Sequence, residues 1–256
     1  MFNLNQTFDF IIHQADSAIV GPEWSKKHFP YPHHRLYIVT AGEAHIKLKD
    51  NDISLLPGFT YLLPSFSMVE AICKESFSHY YIHFQDNSNP VKNIFEFYQP
   101  HTCIPSDERT LALYNVIMQH HTQQDPSSLL LSKGSLQLLL APFLKGLQLL
   151  NPEMERFIIV LDFIRKHYRE KIRIKTLSNL MDLDVVYFSN TFTRIFDIPP
   201  SQYIIKARLE AAQRLLTFTG RKIREIALEV GFENEMYFSR LFRQKTGVTP
   251  GEYRKL

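Results

Sequence analysis

The chain has 256 residues, 45% of them hydrophobic and 13% aromatic with only nine glycines, enough apolar surface to offset the entropy of ordering one large domain or two ordinary ones, which excludes a disordered chain. Two cysteines, Cys73 and Cys103, cannot build a disulfide framework or a four-thiolate zinc site, and a reducing compartment is their natural setting. The net charge of +3 conceals a division: residues 1–150 hold 10 basic and 13 acidic side chains, residues 151–256 hold 19 and 13, and ten of the eleven histidines lie in the first part. Two domains with different partners are expected, the second facing an anion such as nucleic acid.

Met1 to Asp16 lacks the basic start and apolar stretch of a secretion signal, so a cytoplasmic protein is expected. From Leu36 to Leu48 apolar and polar residues alternate, with Ala44, Ile46 and Leu48 opposite His45, Lys47 and Lys49, the period of a half-buried strand. Asp50-Asn51-Asp52 supplies a turn and Ile53 to Leu56 a return strand, which together predict a hairpin. Pro57-Gly58 and Pro64-Ser65 bracket a strand at Phe59 to Leu63, and Phe77 to Phe84 alternates again. Short strands between turn signals predict an all-β barrel or sandwich over about residues 8–100.

After Pro105 the period changes. Ser106-Asp107 is a helix-capping signal for a helix to His121, and a second helix is expected from Pro126-Ser127 to Leu150, kinked or ended by Pro142. Its leucines cover more of the helix than one barrel needs, which suggests a self-association surface and a homodimer. No membrane span is expected, because even Leu129 to Leu150 is interrupted by Ser132, Lys133, Pro142 and Lys145. Asn151 to Glu155, with Pro152, reads as a linker.

Residues 151–256 contain an internal duplication. Tyr187-Phe188-Ser189 recurs 50 residues later as Tyr237-Phe238-Ser239, and the same offset pairs Phe192 with Phe242, Pro200 with Pro250 and Tyr203 with Tyr253. Upstream the offset is 49, pairing Ile174, Leu177, Ser178, Met181 and Leu183 with Ile223, Ile226, Ala227, Val230 and Phe232. Each copy reads as a short helix, a tight turn and a longer helix, at about 174–196 and 223–246, the grammar of a helix-turn-helix whose second helix enters the major groove. Gly231 supplies the left-handed stop and Asn234 the cap in the second copy; Asp182 and Asp184 hold those places in the first, where the turn should be the more strained. A helix from Ser201 to Leu216 joins the copies.

The run Pro200, Tyr203, Arg208-Leu209, Ala212, Leu215-Leu216, Ile226-Ala227, Gly231-Phe232, Tyr237-Phe238-Ser239-Arg240, Phe242, Gly247, Thr249-Pro250 and Tyr253 closely resembles the signature of the AraC/XylS family of bacterial transcription regulators. The resemblance covers about Met154 to Leu256. It implies an α+β protein of two domains, a cupin-like β-barrel with helices at 1–150 that senses a ligand or dimerises, and an all-α DNA-binding domain at 151–256. It also implies double-stranded DNA, a small-molecule effector and RNA polymerase as partners, and activation of nearby genes.

The aromatic positions Phe188, Phe192, Phe238 and Phe242 are expected to face inward, which leaves Val186, Ser189, Asn190 and Thr193 in the first copy and Glu235, Met236, Ser239 and Arg240 in the second as candidates to touch bases. Arg240 can pair with guanine and Asn190 with adenine. Arg194, Arg208, Arg243 and Lys245 are assigned to phosphates, with Glu210 as an alternative partner for Arg208. In the barrel Arg35, Tyr37, His79 and Tyr81 are candidate ligand liners. His33 and His34 are adjacent, and His79 and His83 are four apart, so neither pair has the spacing of a metal cupin and no metal or other cofactor is expected. No nucleophile motif, phosphate loop or acid pair argues for catalysis. The rivals are a metal-dependent cupin enzyme carrying a DNA module and an architectural DNA binder that senses nothing.

Overall fold

The computed structural model describes residues 9–27, 32–48, 51–86, 95, 100–146 and 152–255. The chain divides near residue 149 into two compact units. The first is built on strands β1 (Phe10–Val20), β2 (Lys26–Lys27), β3 (His34–Gly42), β4 (Ala44–Leu48), β5 (Asp52–Leu55), β6 (Phe59–Leu63), β7 (Met68–Ile72), β8 (Phe77–Asp86) and β9 (Cys103–Pro105). They form two antiparallel sheets, in the orders β1-β8-β3-β6-β9 and β2-β7-β4-β5. The described strands therefore make two sheets and no closed barrel, the sandwich alternative of the barrel or sandwich that the strand pattern predicts.

Strand β3 lies at the centre of its sheet and is buried from His34 to Val39, because each of its faces meets a different layer. Leu36 and Ile38, with Ile82 and Phe84 of β8, pack against Tyr114, Ile117, Leu136, Leu139 and Phe143 of the helical layer. Tyr37 and Val39, with Phe77, pack against Ala44, Ile46, Leu55 and Ala71 of the second sheet. A strand covered on both sides loses the alternation that marks a half-buried one. The expected strand over Leu36–Leu48 is divided by Gly42, whose φ is +69° and where a Cβ would lie 2.0 Å from the carbonyl oxygen of Ser76. The β4–β5 hairpin pairs Ala44 with Leu55 through Lys47 with Asp52; Lys49 and Asp50 lie outside the described residues. Strands β1 and β7 escape the sequence pattern, since β1 is an edge strand with mixed burial.

Helix α1 (Glu108–His120) starts at a capping box in which Asp107 accepts from the Thr110 amide at 2.8 Å. Helix α2 (Pro126–Leu140) is capped by Asp125, which accepts from the Ser128 amide at 3.0 Å. It ends ten residues before the expected limit, passing into a 3-10 turn at Ala141–Leu144 that contains Pro142; residues 147–150 lie outside the described set. By length and composition alone Pro126–Leu144 could cross a membrane, with a mean hydropathy of 1.2, contrary to the expectation for this segment. Within the fold its Leu136, Leu139, Leu140 and Phe143 are core residues, buried Ser132 donates to the Ser128 carbonyl at 2.8 Å, and Leu130 and Leu138 are exposed.

The second unit contains a 3-10 turn at Pro152–Phe157, α3 (Ile158–His167), α4 (Ile174–Asn179), α5 (Val185–Phe196), α6 (Pro200–Phe218), α7 (Ile223–Glu229), α8 (Glu235–Thr246) and α9 (Pro250–Tyr253). Asn151 of the expected linker lies outside the described residues, but the rest of it is helical and runs into buried Phe157, whose ring is 6.0 Å from Phe188 and 5.7 Å from Phe192. The joining helix α6 is longer than expected, 19 residues, roughly 28 Å at about 1.5 Å per residue. The duplication is visible in the packing. Phe192 meets Tyr203 edge-on at 5.6 Å and Phe242 meets Tyr253 edge-on at 5.3 Å. Ser178 and Ala227 are fully buried, and their carbonyls accept from the Leu183 and Phe232 amides at 3.1 and 2.9 Å.

Candidate nucleic-acid interface

Helices α5 and α8 are held from beneath and capped from within. Phe188 and Phe192 on α5, and Phe238 and Phe242 on α8, have no exposed surface, which turns the opposite side of each helix outward. At the start of α5, Asp184 Oδ1 accepts from the amides of Val186 at 2.8 Å and Tyr187 at 3.2 Å. Asn234 Oδ1 does the same for the Tyr237 amide at 2.9 Å. Each helix closes on a left-handed residue, Asp197 at φ +58° and Gly247 at φ +83°, again 50 positions apart.

On α5 the outward positions include Val186 and Asn190 from the candidate base readers. Ser189 and Thr193 are partly buried, and their hydroxyls donate back to the carbonyls of Val185 and Ser189, each at 2.8 Å. This back-bonding occupies their one hydrogen and leaves only acceptor capacity for a partner. On α8, Glu235, Met236 and Arg240 are exposed and Ser239 is partly covered. Val186 is 67% and Met236 81% exposed, a large apolar cost in water that contact with a thymine methyl would offset.

The phosphate candidates divide. Arg243 and Lys245 are exposed in the last turn of α8. The guanidinium of Arg194 grips Glu153 through two bonds, at 2.7 and 3.1 Å. Arg208 is a correction. It is half-buried, donates to the carbonyls of Tyr168 at 2.6 Å and Glu170 at 2.8 Å, and lies over the ring of Phe232, so it pins the end of α3 from inside the fold. Glu210, its alternative partner, pairs instead with Lys206 at 3.7 Å.

Two outward residues escaped the sequence reading. Tyr187 and Tyr237, noted in the sequence only as members of the repeated triplet, are 58% and 44% exposed. Arg240 lies over the Tyr237 ring, 5.8 Å from its centre. The signal was available: at helical spacing a residue beside an inward phenylalanine points outward.

In the first unit the four candidate ligand liners come together on β3 and β8, in a register that pairs Tyr37 with Tyr81 and Arg35 with His83. Arg35 Nη1 donates to the Tyr37 hydroxyl at 3.2 Å, and the His79 ring is 4.6 Å from Tyr37 and 5.8 Å from Tyr81. His33 and His83, absent from the expected set, stack at 4.6 Å. Burial, reinforced by the charge of Arg35, holds the pKa of His79 down to about 4, of His33 to about 3 and of His83 to about 2. These rings are neutral at pH 7. Among the described residues no group of three or more His, Cys, Asp or Glu side chains is placed to hold a metal ion.

Residues 177–256 match the family model of a helix-turn-helix domain. The HTH-type transcriptional regulator YisR of Bacillus subtilis is 39% identical over 94 residues, 37% of this chain and 33% of its own. The probable transcriptional regulator LumQ of Photobacterium leiognathi is 24% identical over 235 residues, 88% of this chain and 90% of its own. The crystal structure of ToxT from Vibrio cholerae covers 96% of this chain and 97% of its own at 13% identity, with a TM-score of 0.62, a likeness of two-domain fold. The chain spans between 32% and 50% of the length of the first relatives it matches.

Proposed function

We propose that this chain, whose residues 177–256 match a helix-turn-helix family model, is a sequence-specific DNA-binding transcription regulator of the AraC/XylS type with two domains, residues 1–150 for sensing or dimerisation and 151–256 for DNA. The observation that carries this reading is the pair of capped helices, α5 and α8, each with an inner aromatic spine and an outward row, joined through a 19-residue helix. Such heads read two neighbouring major-groove segments about one turn apart, near ~34 Å. Val186 and Asn190 read bases in one segment and Glu235, Met236 and Arg240 in the other, with Ser189, Thr193 and Ser239 at the edges as acceptors. Arg243 and Lys245 hold phosphates; Arg194 joins them by exchanging Glu153 for the backbone.

In the first unit Arg35, Tyr37, His79 and Tyr81 bind a small-molecule effector whose preference for one conformation shifts promoter occupancy. Leu130 and Leu138, exposed on α2, form a homodimer contact. The protein acts in the cytoplasm without chemistry of its own, and RNA polymerase is its partner in activating nearby genes. The test is selection of genomic fragments by the purified chain near physiological salt, followed by salt titration on one recovered site. Two short blocks about 10 base pairs apart are expected. Salt-sensitive binding with no recovered motif would withdraw the regulator reading and leave a general DNA clamp.

A further inference from the structure

The duplication places a tyrosine at the same point of both reading helices, and only one of them has a cation above it. Tyr187 and Tyr237 each stand in the first turn of their helix, donate their amide to the cap side chain and precede a fully buried phenylalanine. Three residues on, one turn along the same face, stand Asn190 in the first copy and Arg240 in the second. Arg240 lies 5.8 Å from the centre of the Tyr237 ring. The same ring neighbours the core, since Phe232 is 6.1 Å away, tilted at 57°, and is itself buried against Phe238 at 5.3 Å. A mobile surface arginine loses rotamer freedom when it binds, whereas one resting on a fixed aromatic face is already partly ordered.

We infer that Tyr237 is a positioning residue for Arg240, a shelf that orients the guanidinium for bidentate recognition of a guanine and makes the second head the more exacting reader. This rests on the regulator reading above. In the first head Tyr187 is the more exposed, at 58% against 44%, and among the described residues no arginine lies over its ring, so it serves no comparable purpose in base choice. The inference concerns specificity. A phosphate contact by the tyrosine hydroxyl would strengthen binding to every sequence alike.

The experiment uses the full chain on its selected site, on the same site with the guanine facing Arg240 changed to adenine, and on unrelated DNA. Five variants are compared: Tyr237→Phe, Tyr237→Leu, Arg240→Ala, the Tyr237→Leu/Arg240→Ala pair and Tyr187→Leu. Tyr237→Phe keeps the shelf and is expected to hold affinity and the guanine preference within about twofold. Tyr237→Leu is expected to lower affinity for the selected site about tenfold, leave unrelated DNA unchanged and have no further effect once Arg240 is alanine. Tyr187→Leu, the matched control, leaves the guanine preference intact. Equal losses on all three DNAs, additive losses in the double variant, or failure of phenylalanine to preserve the preference would each overturn the inference while leaving the regulator reading standing. A wild-type chain that binds all three DNAs alike would overturn both. Far-ultraviolet circular dichroism and thermal melting of each variant separate loss of the shelf from loss of the fold.

Discussion

The first helix-turn-helix holds Asp182 at φ +52° where the second holds Gly231 at φ +92°. The shared dihedral follows from the turn itself, which needs a left-handed residue so that the next amide can return to the buried Ser178 or Ala227 carbonyl. The difference in side chain has another source. A Cβ on Gly231 would lie 2.6 Å from the carbonyl oxygen of Arg169, whereas Asp182 is exposed. One backbone demand is common to both copies; the packing of the neighbouring α3 end is added only in the second. The ends of the reading helices share the dihedral without the added packing, since Asp197 and Gly247 both turn left-handed and Gly247 has open space around it.

This comparison breaks most sharply at Gly231. Gly231→Ala combines left-handed strain with a clash against backbone that cannot move aside, and should cost about 3 kcal/mol or more, read by denaturant unfolding. Asp182→Ala meets the dihedral alone and should cost about 1 kcal/mol. Equal losses at the two sites would show that the contact with Arg169 is not a constraint.

Acid separates the two units before it separates the two copies. His33, His79 and His83 stay neutral in the folded chain to about pH 4 or below, whereas unfolded histidines take up protons near pH 6.5. Their folded pKa values are depressed, so stability is full above about pH 6.5 and falls as the pH drops below it, by about 2 kcal/mol at pH 5 for each histidine that stays neutral. Trp24, the only tryptophan, sits in the first unit beside His79 at 6.4 Å and reports this limb by fluorescence. Helical ellipticity of the second unit, which has the single histidine His167, should not follow it. Coincident loss of both signals from pH 6.5 downward would refute the assignment to the buried rings.

Much of the second unit was legible in the sequence and much of the first was not. The helix-turn-helix copies are local structures whose caps, stops and apolar spacing lie within 25 residues, so Ser178, Ala227, Asp184 and Asn234 could be placed without coordinates. Tyr187 and Tyr237 were left out of the outward set although helical position beside Phe188 and Phe238 points them outward. Arg208 was misjudged because a charged side chain on a helix surface carries no sign in the sequence that two distant carbonyls, those of Tyr168 and Glu170, await it. In the sandwich the decisive partners are far apart in the chain. Nothing near Leu36 announces that Ile82 and Leu62 flank it while Leu136 and Tyr114 cover one face, and a doubly covered strand hides its own period. The four candidate liners were found together because they sit two residues apart on two strands, the one regularity of that unit that sequence does display.

Base preference should distinguish the heads by a smaller margin. Exchanging Asn190→Arg and Arg240→Asn in one chain is expected to move the guanine requirement from the second block of the selected site toward the first, by about tenfold in relative affinity at each position. Transfer will be incomplete, because Tyr187 lacks the core-supported ring behind it that Tyr237 has in Phe232. An unaltered site preference would remove both residues from the base-reading set.

The finest distinction lies in the caps. Asn234→Ala should cost about 1 kcal/mol at any pH, because its amide oxygen does not titrate in this range. Asp184 caps with a carboxylate, and hydrogen bonds from the Tyr187 and Val186 amides hold its pKa below the usual aspartate value. A group with a depressed folded pKa stabilises above its unfolded pKa, near 3.9, and loses that contribution as the pH falls through the lower folded value. The first copy should therefore lose part of its cap as the pH falls below about 4, while the second keeps its own. Asp184→Asn should remove this acid step and Asn234→Asp should transplant it, both followed by helical ellipticity in the acid range. If Asp184→Asn left the acid profile of the second unit unchanged, the cap would not be the titrating element.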